Sequence, residues 1–208
     1  MKMFTKVMAT TGMMLLAGAA NALTLTIDDG SDSIIDATVN GTNLVTYNSV
    51  GDGAIGNWNL VFTAGTSSQN SNPLMHLGAI VSSSSAGGDI TVGLSDTNFT
   101  FGAPGMASFL ADIGGSSCGM SVYYTATLTD TSGTSTLLSY VGGGSPFAAA
   151  NATNLQLGQT YDLDMQVRFV ATTATTASMD SSIQVPVPAT LALLGLGLVA
   201  MGFARRRA

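Results

Sequence analysis

From residue 23 onward, apolar side chains return at every second position, and that period decides what the chain can become. In YDLDMQVRFVAT (161–172), Leu163, Met165, Val167 and Phe169 alternate with Asp162, Asp164, Gln166 and Arg168. Only an extended strand places alternate residues on opposite faces, so one face of this segment is apolar and the other wet. SVYYTATLTD (121–130) repeats the pattern, with Val122, Tyr124, Ala126 and Leu128 against Thr125, Thr127 and Thr129. NWNLVFTA (57–64) sets Trp58, Leu60 and Phe62 on one side. Further short runs rich in β-branched residues predict strands at 23–28, 36–40, 43–48, 74–82, 89–95, 107–113 and 136–141. Clusters of Gly, Asn, Asp and Ser separate them. Gly41-Thr42 reads as a two-residue hairpin turn between the second and third strands. The expected fold is all-β: an antiparallel sandwich, jelly-roll-like or immunoglobulin-like, occupying 23–171 as one domain.

Charge narrows the partners. The 208 residues carry twelve carboxylates, all aspartate, and six Lys or Arg. Five of the six basic residues lie at the two ends, Lys2, Lys6, Arg205, Arg206 and Arg207, which leaves Arg168 alone in the body. Such a body repels phosphate backbones, which excludes nucleic acid as a partner. Its single cysteine, Cys118, cannot form an internal disulfide. It reads as a small, half-buried residue among glycines. Residues 172–184, TTATTASMDSSIQ, begin as small polar residues without a sustained period, which predicts a Ser/Thr-rich stalk.

The ends differ from the body. Residues 1–22 have Lys2 and Lys6, an apolar run from Val7 to Ala20, and the small-x-small pattern Ala20-Asn21-Ala22. That is the layout of a secretory signal peptide, cut by signal peptidase to leave Leu23 first. At the other end, 189–204 are sixteen uncharged, mostly apolar residues followed by Arg205, Arg206 and Arg207. As a helix this segment is about 24 Å long, and Val185 to Pro188 bring it close to a hydrocarbon core of about 30 Å. A transmembrane helix is expected there, its arginines anchored on the cytoplasmic side and the body outside.

Pro186-Val187-Pro188, the apolar stretch TLALLGLGLVAMGFA and the arginine cluster occur in that order at the C-terminal end. Residues 185–208 thus resemble the PEP-CTERM sorting signal of Gram-negative bacteria. The resemblance implies a membrane-embedded cysteine transpeptidase, exosortase, as partner, and removal of the helix. Val187 stands where the family has glutamate, so the resemblance leaves both removal of the tail and permanent anchoring open. The body, from the Trp58 strand through Leu94-Ser95-Asp96, also resembles a recurring type among such proteins, with no activity attached to it.

Candidate chemistry is sparse. His76, the only histidine, could join a serine and an aspartate in a triad, but no Gly-x-Ser-x-Gly elbow is present. Asp28, Asp29, Asp32 and Asp36 in DDGSDSIID could offer hard oxygen ligands to Ca²⁺, with Asp162 and Asp164 as a second cluster. A solvated acidic edge explains the same residues without a metal. No catalytic site is therefore expected, and no cofactor beyond a possible Ca²⁺. Three functions remain in order of expectation. The first is a structural or interaction protein of the cell surface or extracellular matrix. The second is a carbohydrate-binding or adhesive module, with exopolysaccharide as partner and an exposed aromatic strip as its sign. The third is an exported hydrolase, marked by clustered Asp and His76 in one deep pocket.

Overall fold

A computed structural model describes residues 23–31, 33–38, 44–68, 74–83, 88–100, 105–158 and 160–185. The signal segment with Ala20 and Ala22, residues Pro186, Val187 and Pro188, the segment 189–204 and the three arginines lie outside the described residues. Among those described, no helix is long and apolar enough to cross a membrane.

Within the described residues twelve strands form two six-stranded antiparallel sheets packed face to face. Sheet A runs β2 (Ser33–Thr38), β1 (Leu23–Asp28), β6 (Gly88–Thr100), β11 (Thr160–Ala171), β8 (Ser121–Asp130) and β9 (Gly133–Gly143). Sheet B runs β10 (Phe147–Leu157), β7 (Gly105–Ser117), β12 (Thr175–Gln184), β5 (Leu74–Ser83), β4 (Trp58–Ser68) and β3 (Leu44–Tyr47). A single helical turn, α1 (Ser49–Asp52), joins β3 to β4, its first turn capped by Asn48, whose side chain accepts from the Val50 amide at 2.9 Å.

The alternation read from the sequence is the alternation that packs the core. Val122, Tyr124, Ala126 and Leu128, like Leu163, Met165, Val167 and Phe169, are all buried. In β4 the inward set is Trp58 and Leu60, then Thr63 and Ser67, because a bulge between Leu60 and Phe62 shifts the register by one. The side chain of Phe62, expected on the inward face, lies outside the described side chains. A second bulge, in β6, puts Asn98 at φ 64°, and its amide donates to Asp162 Oδ1 at 2.9 Å. Beside it Asp96 turns into the core and accepts from Ser67 Oγ at 2.5 Å, so a buried hydrogen bond ties the two sheets together. Phe99 and Tyr161 of sheet A stack at 5.3 Å, and Phe109 of sheet B meets Tyr161 edge-on at 5.8 Å. Burial pushes the Tyr161 hydroxyl up to about 12.

Three expectations are corrected. The region 172–184 is not a stalk: from Thr175 it is strand β12, paired with β7 and β5 on its two sides. Its Ala177, Met179, Ser181 and Ile183 are buried, and Val185 just beyond the strand is 7% exposed. Small polar residues on the outward face masked this period. The predicted hairpin at Gly41-Thr42 is not formed, because β2 pairs with β1 in sheet A while β3 pairs with β4 in sheet B. The hairpin partner of β2 is β1, across the turn where Asp28 and Asp29 accept from the amides of Gly30 and Ser31. Cys118 is exposed in the turn between β7 and β8 rather than half-buried. Strand β10 was not anticipated at all; it is an edge strand with only Phe147 and Leu157 fully buried, and its Ala and Asn residues disfavour the strand assignment.

Two adjacent glycines make opposite predictions. A Cβ on Gly115 would stand 2.1 Å from the Ser178 carbonyl oxygen, which is backbone and cannot give way, whereas one on Gly114 would meet nothing nearer than 3.8 Å. Gly115→Ala is expected to cost about 1–3 kcal/mol, and Gly114→Ala less than about 1 kcal/mol, readable by urea unfolding of the body from Leu23 to Val185. Two aspartates give opposite pH signs. Asp130 is held below the usual carboxylate range, first by the Ser132 hydroxyl and then by the Gly158 and Ser132 amides. Its contribution is present above the unfolded carboxylate range and is lost as pH falls through the lowered folded value. Asp164, hemmed between Ser95 and Thr127 on its flanking strands, is pushed up by desolvation. Its charged form therefore costs stability above that raised value, and the cost disappears on acidification. Asp130→Asn should lower the melting temperature at pH 7 and Asp164→Asn should raise it. Both differences should close on acidification, the Asp164 difference first and the Asp130 difference only once pH has fallen through its lowered folded value.

Candidate functional site

β12 lies between β7 and β5, and its outward residues meet theirs in register. Asp180 faces Gly114 on one side and Gly78 on the other, with Ala148 beyond Gly114 and Ala64 beyond Gly78. The neighbouring row reads Ala150, Asp112, Ser182, His76 and Thr66. Missing side chains in the first row leave a depression, and polar side chains in the second form its wall. Space does not require glycine there: a Cβ at Gly78 would come no nearer than 3.9 Å to anything, and one at Gly114 no nearer than 3.8 Å. Glycine at these two positions lowers the floor and bares the backbone.

Two shallow troughs result, about 520 Å³ on the β7–β10 side and about 430 Å³ on the β5 side, and they meet at Gly114 and Asp180. Both lie within the range of small-ligand sites, although they open on a sheet face rather than into a cavity. The polar groups are fixed by one another. Ser182 Oγ donates to Asp112 Oδ2 at 2.8 Å and its amide to Asp112 Oδ1 at 3.2 Å, while Gln184 Nε2 donates to Ser182 Oγ at 3.2 Å. His76 Nε2 lies 2.6 Å from Asp180 Oδ1, both side chains open to solvent. Ser116 and Ser178 continue the hydroxyl row with Oγ atoms 3.0 Å apart. Ile80, 38% exposed, adds an apolar flank.

This wiring answers the triad question. His76 and Ser182 are register partners, but the serine hydroxyl is committed to Asp112 and the histidine to Asp180. The result is two separate pairs rather than a Ser-His-Asp relay. Elsewhere the candidate residues disperse. Asp28 and Asp29 serve the β1–β2 turn, and Asp162 serves the β6 bulge toward the other end of sheet A. Asp32 lies outside the described residues, and among those described no three His, Cys or Asp side chains gather as metal ligands. Trp58 is in the core at 1% exposure. Tyr123, 39% exposed on sheet A, is covered by Arg168, whose guanidinium carbon sits 5.4 Å from the ring centroid and whose charge is paired with Asp89.

Sequence reading placed His76 on a strand but missed Asp112, Asp180 and Ser182 as its neighbours. Asp112 lay inside an ordinary predicted strand, 107–113, and the other two fell in the supposed stalk. The usable signal was the period-two set Ala177, Met179, Ser181, Ile183 and Val185, which fixes Asp180 and Ser182 on the opposite face.

No curated protein matches the chain in sequence. Among solved structures, the body is similar to TmCBM61, solved in complex with β-1,4-galactotriose, at 7% identity and TM-score 0.35 over 63% of this chain and 90% of that one. It is also similar to the enzymatically active domain of tailspike protein 4 of bacteriophage CBA120, at 12% identity and TM-score 0.34, covering 67% of this chain and 21% of that chain. A third likeness is to the N-terminal cellulose-binding domain of Cellulomonas fimi β-1,4-glucanase C, at 10% identity and TM-score 0.32, covering 70% and 90%. The C-terminal stretch has a direct family match: the model for the PEP-CTERM protein-sorting motif covers residues 184–208. With its proline pair, apolar segment and closing arginines all inside that match, the chain carries the PEP-CTERM sorting motif that marks an exosortase substrate.

Proposed function

We propose that the body is a carbohydrate-binding, adhesive sandwich, exported by its signal segment and delivered to the cell surface or beyond through exosortase-type processing of its tail. The working surface is the outer face of sheet B. The observation that carries this reading is the glycine-floored groove lined by Asp112 and Asp180 on one flank and by His76 and Asp180 on the other, with the buried Ser182 holding Asp112 in place. Sugar rings present hydroxyls that donate and accept within one flat outline, and they need close approach to a rigid surface. Carboxylate acceptors beside hydroxyl and amide donors suit those hydroxyls, and charge-assisted bonds to them are the stronger kind. The bared backbone at Gly78 and Gly114 permits the approach. Ile80 and the alanines of β10 offer contact to the apolar ring face.

The groove favours this reading over a purely structural role in a matrix, which needs no shaped surface. An aromatic strip is missing among the described residues, so recognition rests on hydrogen bonds rather than on stacking. With Arg168 paired to Asp89 and the groove walled by carboxylates, the fitting ligand is a neutral polysaccharide; uronates and sulfated chains would be repelled. The body acts without catalysis in this reading, because the open face leaves water in place and Ser182 and His76 are not coupled.

Affinity electrophoresis against a panel of neutral and anionic polysaccharides tests it. Retardation is expected with at least one neutral polymer. Asp180→Ala removes a charged acceptor worth about 1.5–3 kcal/mol, so binding should weaken roughly 10- to 100-fold. Gly114→Val should block the groove while leaving the melting temperature nearly unchanged. Wild-type-like binding by both variants, or retardation by anionic polymers only, would refute the site. New reducing ends on prolonged incubation, lost in Asp112→Asn, would replace binding with hydrolysis.

A further inference from the structure

A sheet edge is a row of backbone donors and acceptors without a partner strand, and folded proteins blunt it with charge, proline, a bulge or brevity. Among the described residues the sandwich has four such edges, β2 and β9 in sheet A and β10 and β3 in sheet B. Three of them are blunted. β3 has only four residues, β2 includes Asp36 among its six, and β9 is broken by a bulge that leaves Leu137 without a register partner. β10 has none of these devices. FAAANATNLQL is 11 residues long, holds no charge and no proline, and pairs with β7 without a register shift from Phe147↔Gly115 to Leu157↔Gly105. Toward the sandwich the strand is pinned: Asn151 Nδ2 donates to the Leu137 carbonyl of β9 at 2.6 Å, and Phe147 stacks on Tyr140 at 5.6 Å. Along its outer side every second residue turns its N–H and C=O away from β7, and no partner for these groups is present among the described residues.

The sequence of the edge says what fits it. Ala148, Ala149 and Ala150 lie in its first half, and Asn154, Leu155 and Gln156 in its second. A second copy laid antiparallel about Ala152 sets small against large throughout. Ala148 then faces Gln156, Ala150 faces Asn154, Ala149 faces Leu155, and Ala152 meets itself on the two-fold axis. Charge selects the same seam. The body carries twelve aspartates against Arg168, so two copies repel over most of their surface. A seam through β10 avoids that cost, because Asp112, one strand in beside Ala150, would look across to Ser108 of the second copy rather than to a carboxylate.

We propose that the free edge of β10 pairs with β10 of a second copy, antiparallel about Ala152, so that two six-stranded B sheets become one continuous sheet. The trough on the β7–β10 side gains a new wall in this dimer. Ala148, Ala149 and Ala150 line it, and the amides of Gln156 and Asn154 from the second copy stand directly beyond Ala148 and Ala150. Two grooves then share one surface, which raises avidity for a polymer with repeating units. That consequence rests on the sugar-binding reading; the seam itself does not. A single strand pair is a small interface beside the standard of about 1,600 Å², so the dimer is expected to be reversible and to depend on concentration.

Cysteine cross-linking of the full-length chain in membranes tests the seam, in a Cys118→Ser background because that exposed thiol could link copies by itself. Opposed residues of an antiparallel pair lie about 4.5–5.5 Å apart at Cα, within disulfide reach. Ala152→Cys is expected to give a linked dimer on mild oxidation, Ala148→Cys none with itself, and Ala148→Cys mixed with Gln156→Cys a linked pair. Self-linking of Ala148→Cys as readily as Ala152→Cys overturns the proposal. So does the absence of linking at residue 152, which would leave the edge to a strand of another protein. Adding Ala150→Glu and Asn154→Glu to the Ala152→Cys chain sets like charges opposite each other across the seam. Linking should fall several-fold at an unchanged melting temperature, and Ala150→Glu with Asn154→Lys should restore it; linking indifferent to these charges contradicts the register. None of these readouts involves sugar, so a failure to find a polysaccharide ligand leaves them standing, and their failure leaves the groove of the single copy to be judged by retardation alone.

Discussion

The insertion of β12 between β7 and β5 is the interaction on which the rest depends. Sheet B is otherwise two fragments, a β7–β10 pair and a β3–β4–β5 meander. Sheet A is built alike: β11 joins the β2–β1–β6 unit to the β8–β9 hairpin. The last two strands of the body are thus the closing strand of one sheet and then of the other. Chain segments made early must wait for segments made last, which is the arrangement of high contact order and slow, cooperative closure. In a chain made from its N-terminal end, the core completes only when the residues next to the sorting motif have arrived.

The candidate site inherits this dependence. Asp180 and Ser182 stand on β12 itself, while Gly114 and Asp112 come from β7 and Gly78 and His76 from β5. The groove exists only after the three strands are in register, and a slip of one residue would turn Asp180 and Ser182 into the core. Burial on the inner face, through Ala177, Met179 and Ile183, therefore fixes the geometry of the outer one. The acidic, nearly cation-free composition then selects what such a face can hold, because Arg168 is spent on Asp89 and Tyr123 on the opposite sheet.

Much of the fold was legible because period-two burial is a local property. β8 and β11 could be read residue by residue, and the all-β class followed from them. Pairing was less legible. Nothing in residues 33–47 states that β2 and β3 belong to different sheets, since that is decided by strands far along the chain. β10 escaped because an edge strand buries little and so needs few apolar residues. β12 escaped because two of its inward positions, Ala177 and Ser181, are small, Ser181 lying against Met165 and Tyr124. The site was hidden for the same reason: His76 could be seen alone, but its companions Asp112, Asp180 and Ser182 are 36, 104 and 106 positions away along the chain. The tail, by contrast, was legible outright, because a sorting motif is read as linear sequence by its enzyme.

The measurement that bears most directly on this account is residue-resolved NMR of the isotopically labelled body during titration with a neutral polysaccharide that retards it. The account predicts amide shifts gathered on Gly78, Asp112, Gly114, Asp180 and Ser182, with the His76 ring moving and the sheet A face silent. Shifts confined to the end loops, or spread over the Thr-rich outer face of sheet A, would contradict it and move the working surface elsewhere on the sandwich.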